Sequence, residues 1–428
     1  MPPPASRATL ARTAIVALAA VVAGIGSYVL LIFVSHGTST SEYANFAVFW
    51  SLTVTIGLGF FYPVEQESAR SIAGTQPGAR PGGRGGMARF VLLCGAALAL
   101  VTSLAALLLF TPGGAAYIGS PALVVALILS FVGYAVQFPV RGMMSGSHRT
   151  TTYSAIIAVE GMLRILLPAL ILFAGFSGAF SFALVVPVAA AVSILPALLG
   201  RDRSWWGFSA LSPRLFAGHL ARLIVAALSI QLILNSGTLV AKVVGGTGSE
   251  ALTGQILVCL SIARIPVFVY QVLQILYLPR LAGQWKARDL HGARRTLLAA
   301  IGAAAAVGLV IVAGMSVLGP FVIGLLFGAD RVLSVGGIVL VSVGVGVFLT
   351  ALVASDGSLA LGRHSVVIRS WAIAAVAAAA TVVVVGDPLL RVTCPLIIGS
   401  SIALIQLVAG LARTIRARST TAREASTS

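Results

Sequence analysis

Charge is what this chain lacks. Only 9% of its residues are Asp, Glu, Lys or Arg, where an ordinary soluble domain has about a quarter. A chain of 428 residues that is 58% hydrophobic cannot cover a water-soluble surface with so few charges. Cysteine is nearly absent too: Cys94, Cys259 and Cys394 each sit alone inside an apolar run. That excludes a disulfide framework and a cysteine metal site, and leaves packing as small hydrophobes. The five histidines lie in loops or at span ends with no ligand spacing, so no metal and no cofactor is expected. Lysine is reduced to Lys242 and Lys286 among 28 basic residues, an Arg- and Ala-rich bias that suggests a GC-rich bacterial source.

Long loops are missing as well. The longest, around 64–89, contains GTQPGARPGGRGG. It lacks the Lys-Ser/Thr ending of a phosphate-binding loop, and no strand precedes it, so it is read as a linker near anionic lipid headgroups. The external loops hold only Glu42, Glu250, Asp330 and Asp387. A membrane glycosyltransferase, ligase or polymerase generally carries large external loops with acidic catalytic groups, so an enzyme is not expected.

What is present is apolar runs of about twenty residues, the length that spans a bilayer core of roughly 30 Å at 1.5 Å per residue. They fall at about 13–34, 43–63, 90–111, 121–139, 153–173, 179–199, 219–243, 252–277, 296–318, 333–354, 366–385 and 392–411, with 319–328 as an extension of the ninth. The first is too long for a signal peptide and reads as an uncleaved span. Runs of this kind are helices; barrel strands would be shorter and alternating.

The net charge of +17 would suggest nucleic acid in a soluble protein. Here it tests the topology instead. With both termini cytoplasmic, 23 of the 28 basic residues fall on the cytoplasmic side and only Lys242, Arg331 and Arg391 opposite, the bias of the positive-inside rule. The location that follows is the cytoplasmic membrane, with membrane lipids as partners and no nucleic acid.

The halves resemble each other at a shift of 210 residues: Ala11-Arg12 over Ala221-Arg222, Ala17-Leu18 over Ala227-Leu228, Arg70 over Arg280. The fold expected is therefore an all-α membrane protein of about 12 transmembrane helices, in two six-helix bundles related by a pseudo-two-fold along the membrane normal. The domains are a first bundle over 1–200, a cytoplasmic linker over 201–217, a second bundle over 218–414 and a cytoplasmic tail over 415–428.

Two arginines remain inside spans. Arg164 lies four residues after Glu160, on one face of the fifth span, with the acid placed N-terminally as a helical pair prefers. Either this is a neutralised structural pair, or it is a cavity face where Arg164 holds an anion and Glu160 exchanges a proton. Its counterparts in the second half are Val376 and Ala380, so the pair is not part of the repeat. Arg264 stands near mid-depth in the eighth span, ahead of Pro266, which loosens that helix. It is read as an anion-binding group, or as an arginine buried against Glu160 or helix carbonyls. Gln231 and Asn235, also four apart, line the same cavity or serve as hydrogen-bond glue. Gln137, nearer a cytoplasmic end, reads as glue.

The stretch Ser41-Glu42-Tyr43-Ala44-Asn45-Phe46-Ala47 is similar to the "EYG-F-A" opening of the second span in polysaccharide and lipid-linked oligosaccharide flippases. In the eighth span, Ala263-Arg264, Pro266 and Leu278-Pro279-Arg280-Leu281-Ala282 look like the "A-x-R…P…LP-x-L" pattern of their lipid II branch. The chain thus resembles that group within the multidrug/oligosaccharidyl-lipid/polysaccharide exporter superfamily, with Ala44 in place of the usual glycine. The resemblance implies a flippase that moves a polyprenyl-diphosphate-linked glycan by alternating access. Arg264, Arg164, Glu160, Gln231 and Asn235 would form the substrate site, and glycosyltransferases or a polymerase of the same pathway would be partners. The alternatives are a cation-coupled small-molecule exporter of the same superfamily, for which Glu160 is the one acid expected in a cavity, and a non-enzymatic scaffold of a glycan assembly complex.

Overall fold

The computed structural model of the chain describes residues 7–74, 86–200, 213–244 and 249–427. The glycine-rich stretch of the long loop and most of the 201–217 linker lie outside the described residues. Among the described residues there is helix and no strand.

Among the described residues, twelve helices are long and apolar enough to cross a membrane. They are α1 (Ala14–Gly37), α2 (Thr40–Ala73), α3 (Gly86–Phe110), α4 (Pro121–Gly146), α5 (Thr150–Phe173) and α6 (Ala179–Leu199), then α7 (Pro213–Val244), α8 (Ser249–Tyr270), α9 (Leu290–Phe327), α10 (Val335–Ala360), α11 (His364–Val384) and α12 (Pro388–Arg418). The chain is a multi-pass membrane protein. It divides into two compact units, Met1–Leu228 and Ser229–Ser428. The first contains α1–α6 and the start of α7, the second the rest of α7 and α8–α12.

Two spans continue past the prolines at which their apolar runs end. Residues 43–63 were expected to end at Pro63, yet α2 continues to Ala73. Proline cannot donate to the preceding turn, and the helix accommodates this with a π-helical turn at Gly57–Phe61, after which Pro63 occupies the first turn of the segment Tyr62–Ala73. Pro139 likewise sits inside α4, which runs on to Gly146. Membrane helices tolerate such prolines because neighbouring groups take up the freed backbone. The consequence is chemical: Glu65, Glu67 and Arg141, expected in loops or at span ends, are carried within helices.

In the first unit, α2 is buried on most sides through Tyr43, Phe46, Phe49 and Trp50. Phe61 of α2 stacks on Phe131 and Phe138 of α4, with ring centroids 6.3 Å and 6.4 Å apart. In the second unit, α10 is the enclosed helix, and Trp371 of α11 is fully buried with its Nε1 donating to Ser355 Oγ of α10 at 3.2 Å.

Candidate functional site

The first unit gathers two carboxylates and two guanidinium groups from three helices. Glu160 of α5 accepts a hydrogen bond on Oε1 from Arg164 Nη2 at 2.6 Å. Its Oε2 accepts from Gln137 Nε2 of α4 at 2.9 Å and lies 3.7 Å from Arg141 Nη1. Arg141 also faces Glu65 of α2. Its Nη2 donates to Glu65 Oε1 at 3.4 Å, and its Nε lies 3.0 Å from Oε2, close enough for a charge pair but out of line for a hydrogen bond. Tyr153 Oη of α5 donates to Glu65 Oε1 at 2.9 Å. Arg141 therefore bridges two acids.

The periphery of the cluster is polar and aromatic. Gln137 Nε2 also donates to Ser193 Oγ of α6 at 2.8 Å, and its Oε1 is buried with no partner. Arg164 Nη1 donates to Ser27 Oγ of α1 at 3.0 Å, while its guanidinium stands 5.7 Å from the Trp50 ring of α2. The Phe138 ring lies 5.1 Å from the Arg141 guanidinium. These are cation–π distances, and they suit arginine in a region poor in water.

Two glycines allow the approach. A Cβ on Gly161 would stand 2.6 Å from the Ala23 Cα, so α1 and α5 touch backbone to backbone beside Glu160 and Ser27. A Cβ on Gly142 would meet the Glu65 Cα at 2.9 Å, so α4 presses onto α2 where Arg141 meets Glu65. Larger residues would hold the carboxylates and guanidiniums apart.

Glu65 and Glu160 are only 4% and 6% exposed. A charge taken out of water is costly unless it is paired and hydrogen-bonded, and here each acid has a cation and a neutral donor. The formal charges of Glu65, Glu160, Arg141 and Arg164 cancel. An arrangement of this kind can release one carboxylate to a proton or a cation while Arg141 keeps the other. The expectation of a single acid at Glu160 is corrected on this point. Glu67 is a further buried carboxylate, 1% exposed, held by Arg70 Nε at 2.7 Å and facing His219 Nδ1 of α7 at 3.4 Å. The reading of Gln137 as glue fits its two donated bonds. The signal that could have revealed the cluster was the occurrence of acids within a few residues of a proline-interrupted apolar run.

In the second unit the eighth span is interrupted where Pro266 leads one to expect it. Helix stops at Ala263, Arg264 takes φ −84° and ψ 0°, and helix resumes over Ile265–Lys286. Arg264 is 8% exposed, its Nε is buried without a partner, and its guanidinium lies 6.0 Å from the Phe268 ring. Among the described residues it forms no ion pair. Asn235 is buried and donates from Nδ2 to the Gln231 carbonyl at 3.0 Å and to Gln231 Oε1 at 3.3 Å, a bond within α7 rather than between helices. Asp356 of α10, unmarked in the sequence because its apolar run ends at 354, accepts from Tyr270 Oη of α8 at 2.6 Å. The Tyr270 hydroxyl lies 3.4 Å from that of Tyr277, which donates to the Val353 carbonyl at 3.0 Å. Of the five site residues read from sequence, Glu160 and Arg164 are joined in the first unit. Arg264, Gln231 and Asn235 belong to the second, where only the latter two touch. Among the described residues no three His, Cys, Asp or Glu side chains are grouped to hold a metal ion.

No protein-family model matches the chain, and no curated protein matches it. Solved structures do. An inward-facing multidrug resistance MATE family transporter of the MOP superfamily is 16% identical over 93% of this chain and 96% of its own, with a TM-score of 0.74. An outward-facing structure of a multidrug resistance MATE family transporter covers 96% of both chains at 16% identity and a TM-score of 0.58. A MOP superfamily transporter from Pyrococcus furiosus, described as having a binding pocket of reverse polarity that suggests a different function, covers 95% of this chain and 96% of its own at 16% identity and a TM-score of 0.63. The chain has the twelve-helix, two-lobe fold of MATE transporters.

Proposed function

We propose that this protein is an exporter working by alternating access, in which the buried carboxylates of the first unit couple the entry of a cation to the exit of a small molecule. The observation that carries the reading is the pair Glu65 and Glu160 bridged by Arg141, set in a fold shared with multidrug transporters solved inward- and outward-facing. A coupled exporter needs an acid that alternates between a cation and a protein partner. Arg141 provides the second partner, and Gln137 and Tyr153 provide donors that survive the exchange. Arg164, paired with Glu160, then serves to position that acid rather than to hold an anion.

A second reading is favoured by one residue. Arg264 is a buried cation with no ion pair among the described residues, at a helix interruption, which suits the diphosphate of a lipid-linked glycan. On that reading the chain is a glycolipid flippase of the cytoplasmic membrane, and it works beside the glycosyltransferases or polymerase that build the glycan.

Reconstituted vesicles separate the two. On the first reading, an imposed proton or sodium gradient drives efflux of a cationic dye such as ethidium, and Glu160→Gln abolishes it. Movement of a fluorescent polyprenyl-diphosphate oligosaccharide alone, unaffected by the gradient and lost in Arg264→Ala, would replace it with the second.

A further inference from the structure

One end of the second unit gathers basic side chains that, among the described residues, form no ion pair. The last turn of the helix Ile265–Lys286 carries Trp285, the turn between α10 and α11 presents Arg363, and the last turns of α12 present Arg413, Thr414, Ala417 and Arg418. Together they line an open groove of about 410 Å³. Among the described residues no acidic side chain lines it. Asp289, four residues after Trp285, caps its own helix, accepting from the Gly292 amide at 2.8 Å.

Arg418 stands over the Trp285 ring, its guanidinium carbon 4.1 Å from the ring centroid. A guanidinium held over an indole face is partly ordered already, so less order is lost when its N–H groups take up a doubly accepting oxyanion. Arg363 and Arg413 add charge from two separate elements. Phosphate is the group that three such arginines recognise.

The surroundings select the source of that phosphate. On α12, Ile405 and Val408 are exposed apolar residues, and Arg413 follows Val408 by five positions, or about 7.5 Å along the helix. The groove thus stands just beyond the surface that acyl chains cover, at the level where tryptophan collects. We propose that Arg363, Arg413 and Arg418, with Trp285, form a binding site for the phosphate of an anionic lipid headgroup. The site is independent of what the protein transports.

The test is lipid retention by the full chain. Purified protein in phosphatidylcholine nanodiscs containing a minority of phosphatidylglycerol is extracted and weighed by native mass spectrometry. The wild type keeps a phosphatidylglycerol adduct, and Arg413→Gln with Arg418→Gln reduces it about tenfold. Arg288→Gln with Arg295→Gln, basic positions outside the groove, leaves it intact. Trp285→Ala removes no charge and gives a smaller loss; Arg363→Gln, exposed on its own turn, repeats the test if the double variant folds poorly. Equal retention in wild type and groove variants would overturn the site. Displacement of the adduct by free glycerol phosphate would overturn the lipid as its ligand.

Discussion

The charged cluster of the first unit and the helix interruption of the second treat buried charge in opposite ways. In the first, every charge of the central cluster has an opposite partner: Arg164 with Glu160, and Arg141 with both Glu160 and Glu65. In the second, Arg264 has none among the described residues, and Asp356 is held by a tyrosine hydroxyl rather than a cation. A closed neutral network is costly to break, since removing one member strands the rest in a place without water. A lone charge is the reverse: its cost is already present, and removing it relieves the fold. The first arrangement specifies structure and allows exchange among fixed partners; the second leaves a charge available to something that is not the protein.

The largest test of this contrast is Arg141→Ala, which leaves Glu65 and Glu160 without their shared cation. Thermal unfolding in detergent should show a loss of about 3–5 kcal/mol. A change below about 1 kcal/mol would mean the bridge is not holding the unit together. Next comes Gly161→Val, which pushes α1 from α5 and should cost about 1–3 kcal/mol. Its sharper readout is transport, which should fall with it because Ser27 and Arg164 separate; a destabilised but fully active variant would dissociate the helix contact from the site. Tyr270→Phe, which removes the hydroxyl bound to Asp356, should cost only about 1 kcal/mol. The smallest effect on stability belongs to Arg264→Gln, within about 0.5 kcal/mol of wild type; gradient-driven dye efflux should persist in it, whereas on the glycolipid reading movement of the polyprenyl-diphosphate oligosaccharide should drop at least tenfold. If that variant instead unfolds as readily as Arg141→Ala, the two units do not differ as described.

Most of the architecture was legible in the sequence because hydrophobic length is a strong constraint in a membrane: all twelve runs coincide with helices. The Glu160–Arg164 contact was legible for a similar reason, since four residues of helix place two side chains together whatever the tertiary structure. What could not be read was the rest of the cluster. Pro63 and Pro139 looked like ends, so Glu65 and Arg141 were assigned to the aqueous side of those ends. Gln137 looked like one polar residue among several. Their meeting depends on contacts across 76 residues between Glu65 and Arg141 and 23 between Gln137 and Glu160, which no local pattern encodes. Asp356 was missed because α10 outlasts its apolar run by a turn and a half, where the helix is supported by packing rather than by hydropathy.

The π-helical turn at Gly57–Phe61 has a geometric consequence for all of this. An extra residue in one turn shifts the angular phase of everything after it by about 100° relative to an unbroken α-helix. Trp50 lies before that shift and Glu65 after it, and both contribute to the same cluster. The turn therefore works like an offset between two gears on one shaft. Deleting a single residue within it would leave α2 helical and apolar while rotating Glu65 away from Arg141, so the site is set as much by phase as by composition.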